Sequence, residues 1–192
     1  MKTRYLSFFN LLAISMGLIV IASNYLVQFP IQYPGLEKIL TYGAFSYPIT
    51  FLITDLANRA YGKITARKIV YLGFVIGILL TLFISTNFSD IISIRIAIGS
   101  GVAFFTAQNL DIVVFDKFRN NSSWYIAPLL SSLIGSCIDT FLFFSISFYN
   151  SAIPWVSLAF GDLAVKIIIT LLMLIPFKFF LKKIKNKSSF IN

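Results

Sequence analysis

Six apolar runs of membrane length, separated by short polar or proline-bearing breaks, divide the chain. They cover about residues 6–28, 38–57, 66–86, 91–115, 124–149 and 155–180. About 20 apolar residues in a helix cross a hydrocarbon core of about 30 Å, so each run predicts a transmembrane helix. Residues 29–37 hold two prolines and a glycine and read as a loop. Residues 58–65 read as a basic turn around Gly62, residues 87–90 and 150–154 as short turns, and residues 116–123 as a polar loop. Pro48 interrupts the second run and predicts a kink that frees the carbonyl of Ala44. Trp124, Tyr125 and Trp155 stand where interfacial anchors belong. The expected fold is an all-α integral membrane protein, a bundle of six transmembrane helices over residues 1–181, followed by a basic tail over 182–192.

Composition supports this reading. The chain is 58% hydrophobic and 12% charged, half the charge of a typical soluble domain. The net charge of +9 suggests nucleic acid at first, but its distribution follows the positive-inside rule. With the N-terminus inside, one side holds Lys2, Arg4, Arg59, Lys63, Arg67, Lys68, Lys117, Arg119 and five lysines from Lys178 to Lys187. The other side holds only Lys38 and Arg95. The expectation is therefore a multi-pass protein of the bacterial inner membrane with both termini cytoplasmic, and no nucleic-acid partner. The first run exceeds a signal-peptide core, so it is read as a spanning helix. With one cysteine, Cys137, and no histidine, the sequence offers no disulfide, no thiolate cluster and no imidazole ligand or proton shuttle. No catalytic or phosphate-binding motif is present, so no enzyme, cofactor or metal is expected.

Ionisable residues inside a membrane are candidates for function, because each costs about 2.5–3.5 kcal/mol or more at the bilayer centre. At about 1.5 Å of rise per residue, Asp139 lies about 15 Å and Asp162 about 12 Å below the outer end of its run. Lys166 follows Asp162 by one turn on the same face. The two could neutralise each other, or they could line a polar cavity and hold a ligand or proton. Asp139 has no base within a turn, only the small face of Ser131, Ser132, Gly135 and Ser136. It must find a partner across the bundle or a donor on a substrate. Ser46, Tyr47 and Thr50 flank Pro48 as a candidate cavity wall, and Gln108 and Asp111 share a face that could line it from within. Asp55 and Arg59, one turn apart, form with Asn58 a candidate gate at the cytoplasmic rim. Asp116, Lys117 and Arg119 read as a solvated loop. ITFLITD at 49–55 and IDTFLFF at 138–144 hint at a three-plus-three inverted repeat.

The segments YGAFSYPITFLITDLANRAYGKITARKIV (42–70), FDKFR (115–119) and SSLIGSCIDTFLFFSISF (131–148), with Lys166 and Leu174–Phe177, resemble the queuosine precursor transporter family, also called the vitamin uptake transporter family. The resemblance runs over about residues 42–177, and the first helix is generic. It implies an inner-membrane importer of 7-cyano- or 7-aminomethyl-7-deazaguanine, or a related deazapurine, for salvage into tRNA modification. An alternative is the substrate-binding subunit of a vitamin importer that needs a separate ATPase module. On the family reading, the carboxylate of Asp139 accepts the N1–H and exocyclic amine of a guanine-like edge. Gln108 or Lys166 donates to O6, Asp162 shares the cavity, and Tyr42, Phe45, Tyr47, Phe51 and Phe141 are the nearby aromatics. Membrane lipid is the expected environment, and a homo-oligomer is compatible with the pattern.

Overall fold

A computed structural model describes residues 2–37, 40–80, 83, 88 and 90–188. Among these the architecture is all-helical, with a single antiparallel bridge between Pro30 and Thr41. The helices are α1 (Lys2–Leu26), α2 (Gly43–Ser46), α3 (Ile49–Tyr61), α4 (Lys63–Leu80), α5 (Ile91–Phe118), α6 (Ile126–Phe148) and α7 (Trp155–Ser188). Four contain stretches long and apolar enough to cross a membrane: Phe9–Leu26, Ile91–Phe118, Ile126–Phe148 and Trp155–Lys182. The expected start of the second helix at Lys38, the end of the third at Thr86 and most of the turn from Asn87 lie outside the described residues.

The second apolar run is not one kinked helix. Proline has no N–H to continue the ladder. At this break the Thr50 N–H reaches only three residues back, to the Tyr47 carbonyl at 3.0 Å. The four-residue α2 and the thirteen-residue α3 result. The bridge at Pro30 folds the preceding loop back, with Ile31 N–H on Leu40 O at 3.0 Å and Tyr42 N–H on Phe29 O at 3.1 Å. α2 then lies against α1 so closely that a Cβ on Gly43 would stand 2.9 Å from the Ser23 carbonyl oxygen.

The expected basic turn over 58–65 shrinks to one residue. α3 continues through Tyr61, α4 starts at Lys63, and Gly62 alone joins them with φ 81° and ψ 168°. Asn58 and Arg59 read as loop residues because they are polar. In the fold they bond to other helices, so the helix need not end to hydrate them. α5 likewise runs to Phe118, past the expected end at Phe115, and α7 runs to Ser188, past the expected end at Phe180. Asp90 caps α5, accepting from the amides of Ile92 and Ser93 at 3.1 Å each.

α3 sits at the centre and touches α1, α4, α5, α6 and α7. Around it α1 packs along α4, and α5 along α6, where a Cβ on Gly99 would stand 2.4 Å from Ser147 Oγ. α7 closes the bundle against α6 and α3. The packing does not mirror an inverted repeat: α1 and α4 pair extensively, whereas among the described residues the corresponding α5 and α7 do not. Polarity runs inside out. α3 buries Thr50, Thr54, Asp55 and Asn58, while α7 exposes Ile168, Leu171, Leu172 and Ile175, as a lipid-facing surface requires.

Gly62 occupies a backbone region essentially closed to other residues, where a side chain costs about 1–3 kcal/mol. Gly62→Ala is expected to lower the thermal midpoint of the purified protein in detergent by about 2–10 °C. An unchanged midpoint would show that the α3–α4 joint relaxes without strain.

Candidate functional site

Asp139, Asp162 and Lys166 meet. Lys166 Nζ lies 2.6 Å from Asp162 Oδ2 and 2.8 Å from Asp139 Oδ2. Thr140 Oγ1 accepts from Lys166 Nζ at 3.0 Å and donates to Asp162 Oδ2 at 2.8 Å. Helical spacing makes this possible: Asp162 and Lys166 are one turn apart on α7, and Asp139 and Thr140 are adjacent on the face of α6 that meets it. All four are buried. Two carboxylates and one ammonium leave the group one negative charge when all are ionised. Tyr47, at the α2–α3 break, lies beneath the ammonium, with Lys166 Nζ 5.0 Å from its ring centroid. Its ring is held edge-on by Phe51 and Phe104. Asp139 Oδ1 and the Tyr47 hydroxyl are buried without a hydrogen-bond partner, and the two side chains are close enough to interact.

These free atoms border a small cavity of about 20 Å³, lined among others by Asn24, Tyr47, Ser100, Asp139, Phe143 and Asp162. It has room for about one water. Ser100 Oγ donates to Asn24 Oδ1 at 2.6 Å across the α1–α5 contact.

The other sequence candidates divide into separate groups. Gln108 is fully buried but is not part of the charge cluster: its Nε2 donates to Thr50 Oγ1 at 2.9 Å, and its Oε1 accepts from Thr54 Oγ1 at 2.5 Å. Gln108 and Thr50 thus join α5 to α3. Asp55 does not take Arg59 as its hydrogen-bonding partner, nor does it lie at a solvated rim. It is 2% exposed and accepts from Ser131 Oγ at 2.9 Å and Ser132 Oγ at 3.2 Å. Arg59 turns to the carbonyl of Arg119 at 2.9 Å and to the ring of Phe115. Asn58 donates to the Ile112 carbonyl at 3.1 Å, and Arg119 clasps both the carbonyl and the side-chain oxygen of Asn58. Asp116 bridges Lys63 at 3.3 Å and Arg119 at 3.5 Å. The segment expected as a solvated loop therefore ties the end of α5 to α3 and α4.

Among the aromatics, Tyr42, Phe45 and Phe141 are largely exposed, and Phe51 is packed into the core; Tyr47 alone of the five lines the cavity. Asn24, Ser100 and Phe143 border the cavity and Thr140 joins the cluster, four residues that spacing along the chain does not mark. Asn24 reads as interfacial from its place near a helix end, yet it is 3% exposed. A polar residue on an apolar run was the available signal, but its partner lies 76 positions away.

Removing one member of a buried ion pair costs about 3–5 kcal/mol, because the remaining charge loses its partner. Lys166→Met is expected to lower the thermal midpoint markedly, and Asp162→Asn in the same chain to recover part of the loss. Equal midpoints for the single and double variants would mean that the charges do not act as one unit.

A family model described as "Putative vitamin uptake transporter" matches residues 41–180. A "Probable queuosine precursor transporter" of Haemophilus influenzae is 34% identical, over 90% of this chain and 83% of its own length. The "Queuosine precursor transporter" of Escherichia coli K12 is 33% identical, over 96% and 90%. A "Probable queuosine precursor transporter" of Bacillus subtilis is 28% identical, over 87% and 81%. No solved structure matches. The match reaches across α2 to α7 and includes every member of the buried charge cluster, and on this ground the chain belongs to the queuosine precursor transporter family.

Proposed function

We propose that this protein imports deazapurine precursors of queuosine through the inner membrane, and that the Asp139–Lys166–Asp162 cluster is where the substrate binds. The observation that carries the reading is the pair of unsatisfied buried atoms, Asp139 Oδ1 and the Tyr47 hydroxyl, beside a cavity. A buried acceptor without a donor costs about 1–3 kcal/mol, and a ligand that supplies the donor recovers it. A guanine-like edge offers N1–H and an amine to Asp139. The ammonium of Lys166 already directs three contacts to Asp139, Asp162 and Thr140, and Gln108 is engaged by two threonines. The donor to O6 therefore falls to Tyr47.

The proposed topology has six spans: α1, the α2–α3 pair, α4, α5, α6 and α7. Both ends lie in the cytoplasm, because the basic residues gather at one end. Residues 1–181 form the transmembrane domain and 182–192 the basic tail. The Asn58–Arg59–Arg119 clasp closes the cytoplasmic end. A ligand site is usually about 300 Å³ or more, so the small cavity must widen to admit substrate. The break at Pro48 lets α2 move as the wall.

Uptake of labelled 7-cyano-7-deazaguanine by cells lacking queuosine synthesis and any other importer tests the reading. Asp139→Asn is expected to reduce uptake about 10–100-fold, and Tyr47→Phe to raise the apparent KM about 5–10-fold, matching the loss of a buried hydrogen bond to a charged and a neutral group. Normal queuosine levels in tRNA of the Asp139→Asn strain at limiting precursor would sink this assignment.

A further inference from the structure

A second buried acidic site lies on the clasp side of the charge cluster. Asp111 of α5 is fully buried, and neither of its oxygens has a hydrogen-bond partner. Asp55 of α3 lies at its level, since the flanking contacts join Thr54 to Gln108 and Asn58 to Ile112. The two carboxyl groups lie within interaction range of each other, and Ser131 of α6 donates to Asp55. Asp55 and Ser132 also border a cavity of about 10 Å³ against Thr170 and Phe177 of α7, close to the size that holds one water.

A proton shared between two carboxylates at one dry site removes one desolvated charge and the repulsion between them. Little near the pair offsets the second charge. α6 contributes only hydroxyls here, and α7 contributes Thr170 among apolar groups. Arg59, one turn along α3, acts electrostatically on Asp55 but is bound to the Arg119 carbonyl. Of the other charges at this end, Lys63, Asp116 and Arg119 engage one another, Lys117 lies over the Phe118 ring and Lys178 over the Trp124 ring, and Arg67 Nε is buried without a hydrogen-bond partner. Along α6 the buried, unpartnered Ser136 Oγ stands between Ser132 and the Asp139–Thr140 pair, so one helix face carries polar groups from this site to the substrate cluster.

We propose that Asp55 and Asp111 share one exchangeable proton and form the site that couples substrate import to the proton gradient. This rests on the importer reading above. The proton enters with substrate from the outer side and leaves to the cytoplasm. With it, the pair carries a single charge and stays dry. Its loss leaves two anions, which draw Arg59 away from the Arg119 carbonyl and admit water, so proton release and opening of the clasp are one event. The histidine-free sequence fits a carboxyl carrier.

The test uses the full chain in liposomes with labelled 7-cyano-7-deazaguanine, an uncharged probe. With the interior one pH unit more alkaline, the wild type is expected to accumulate it up to about tenfold for one proton per substrate, and a protonophore to abolish this. Asp111→Asn is expected to exchange internal for external substrate at near wild-type rate yet to accumulate none. Asp111→Glu is expected to keep accumulation. Gradient-driven accumulation by Asp111→Asn, or protonophore-insensitive accumulation by the wild type, overturns the coupling while leaving the importer reading intact. Absence of exchange by the wild type overturns both. Should Asp111→Asn fail to fold, a pH dye in wild-type liposomes decides: one proton entering per substrate supports the site, and none refutes it.

Discussion

The ammonium of Lys166 between two carboxylates, inside an apolar bundle, is the constraint on which the other contacts depend. Charges in lipid are tolerated only when paired or hydrated within the protein. Satisfying Lys166 fixes the rotation of α6 against α7, since both Asp139 and Thr140 must face it. Tyr47, placed by the break at Pro48, lies beneath it. The structure accommodates this expensive group because two carboxylates and the Thr140 hydroxyl turn to it.

α3 carries the arrangement lengthwise. From Thr50 to Asn58 its inner strip presents a polar group at nearly every turn: Thr50 and Thr54 on Gln108, Asp55 on the serines of α6, and Asn58 in the clasp, with Tyr47 just before it at the charge cluster. At about 1.5 Å per residue, the strip spans about 12 Å. The single-residue joint at Gly62 ties its end to α4, so a shift of α3 must carry the neighbouring basic residues with it. A short helix touching all the long ones is well placed to relate events at the two ends.

The helices whose apolar runs end in true turns were legible. Residues 124–149 became α6 at Ile126–Phe148, and the start of α5 fell on the residue read from the chain. Failures occurred where polar residues mark interior contacts rather than loops. Asn58 and Arg59 looked like the end of a helix, and Asp116 to Arg119 like a solvated segment, because local spacing does not distinguish a side chain facing water from one bonding another helix. In lipid that distinction matters most: the interior is the polar side, and the cue that signals a loop in a soluble chain can signal the core.

The sequence by itself determined that the chain is helical and membrane-embedded, because apolar length leaves no other way to satisfy the backbone in lipid. It also placed Asp139, Asp162 and Lys166 deep within apolar runs, since depth follows from position along a run, and put Asp162 and Lys166 on one face. Only the tertiary structure decided their partners. It brought Asp139 to Lys166, drew Gln108 away to α3, gave Asp55 to Ser131 and Ser132 rather than Arg59, and joined Asn24 to Ser100. Each of these depends on the relative rotation and depth of helices remote in sequence. The packing of the whole bundle sets those quantities, and no local spacing encodes them.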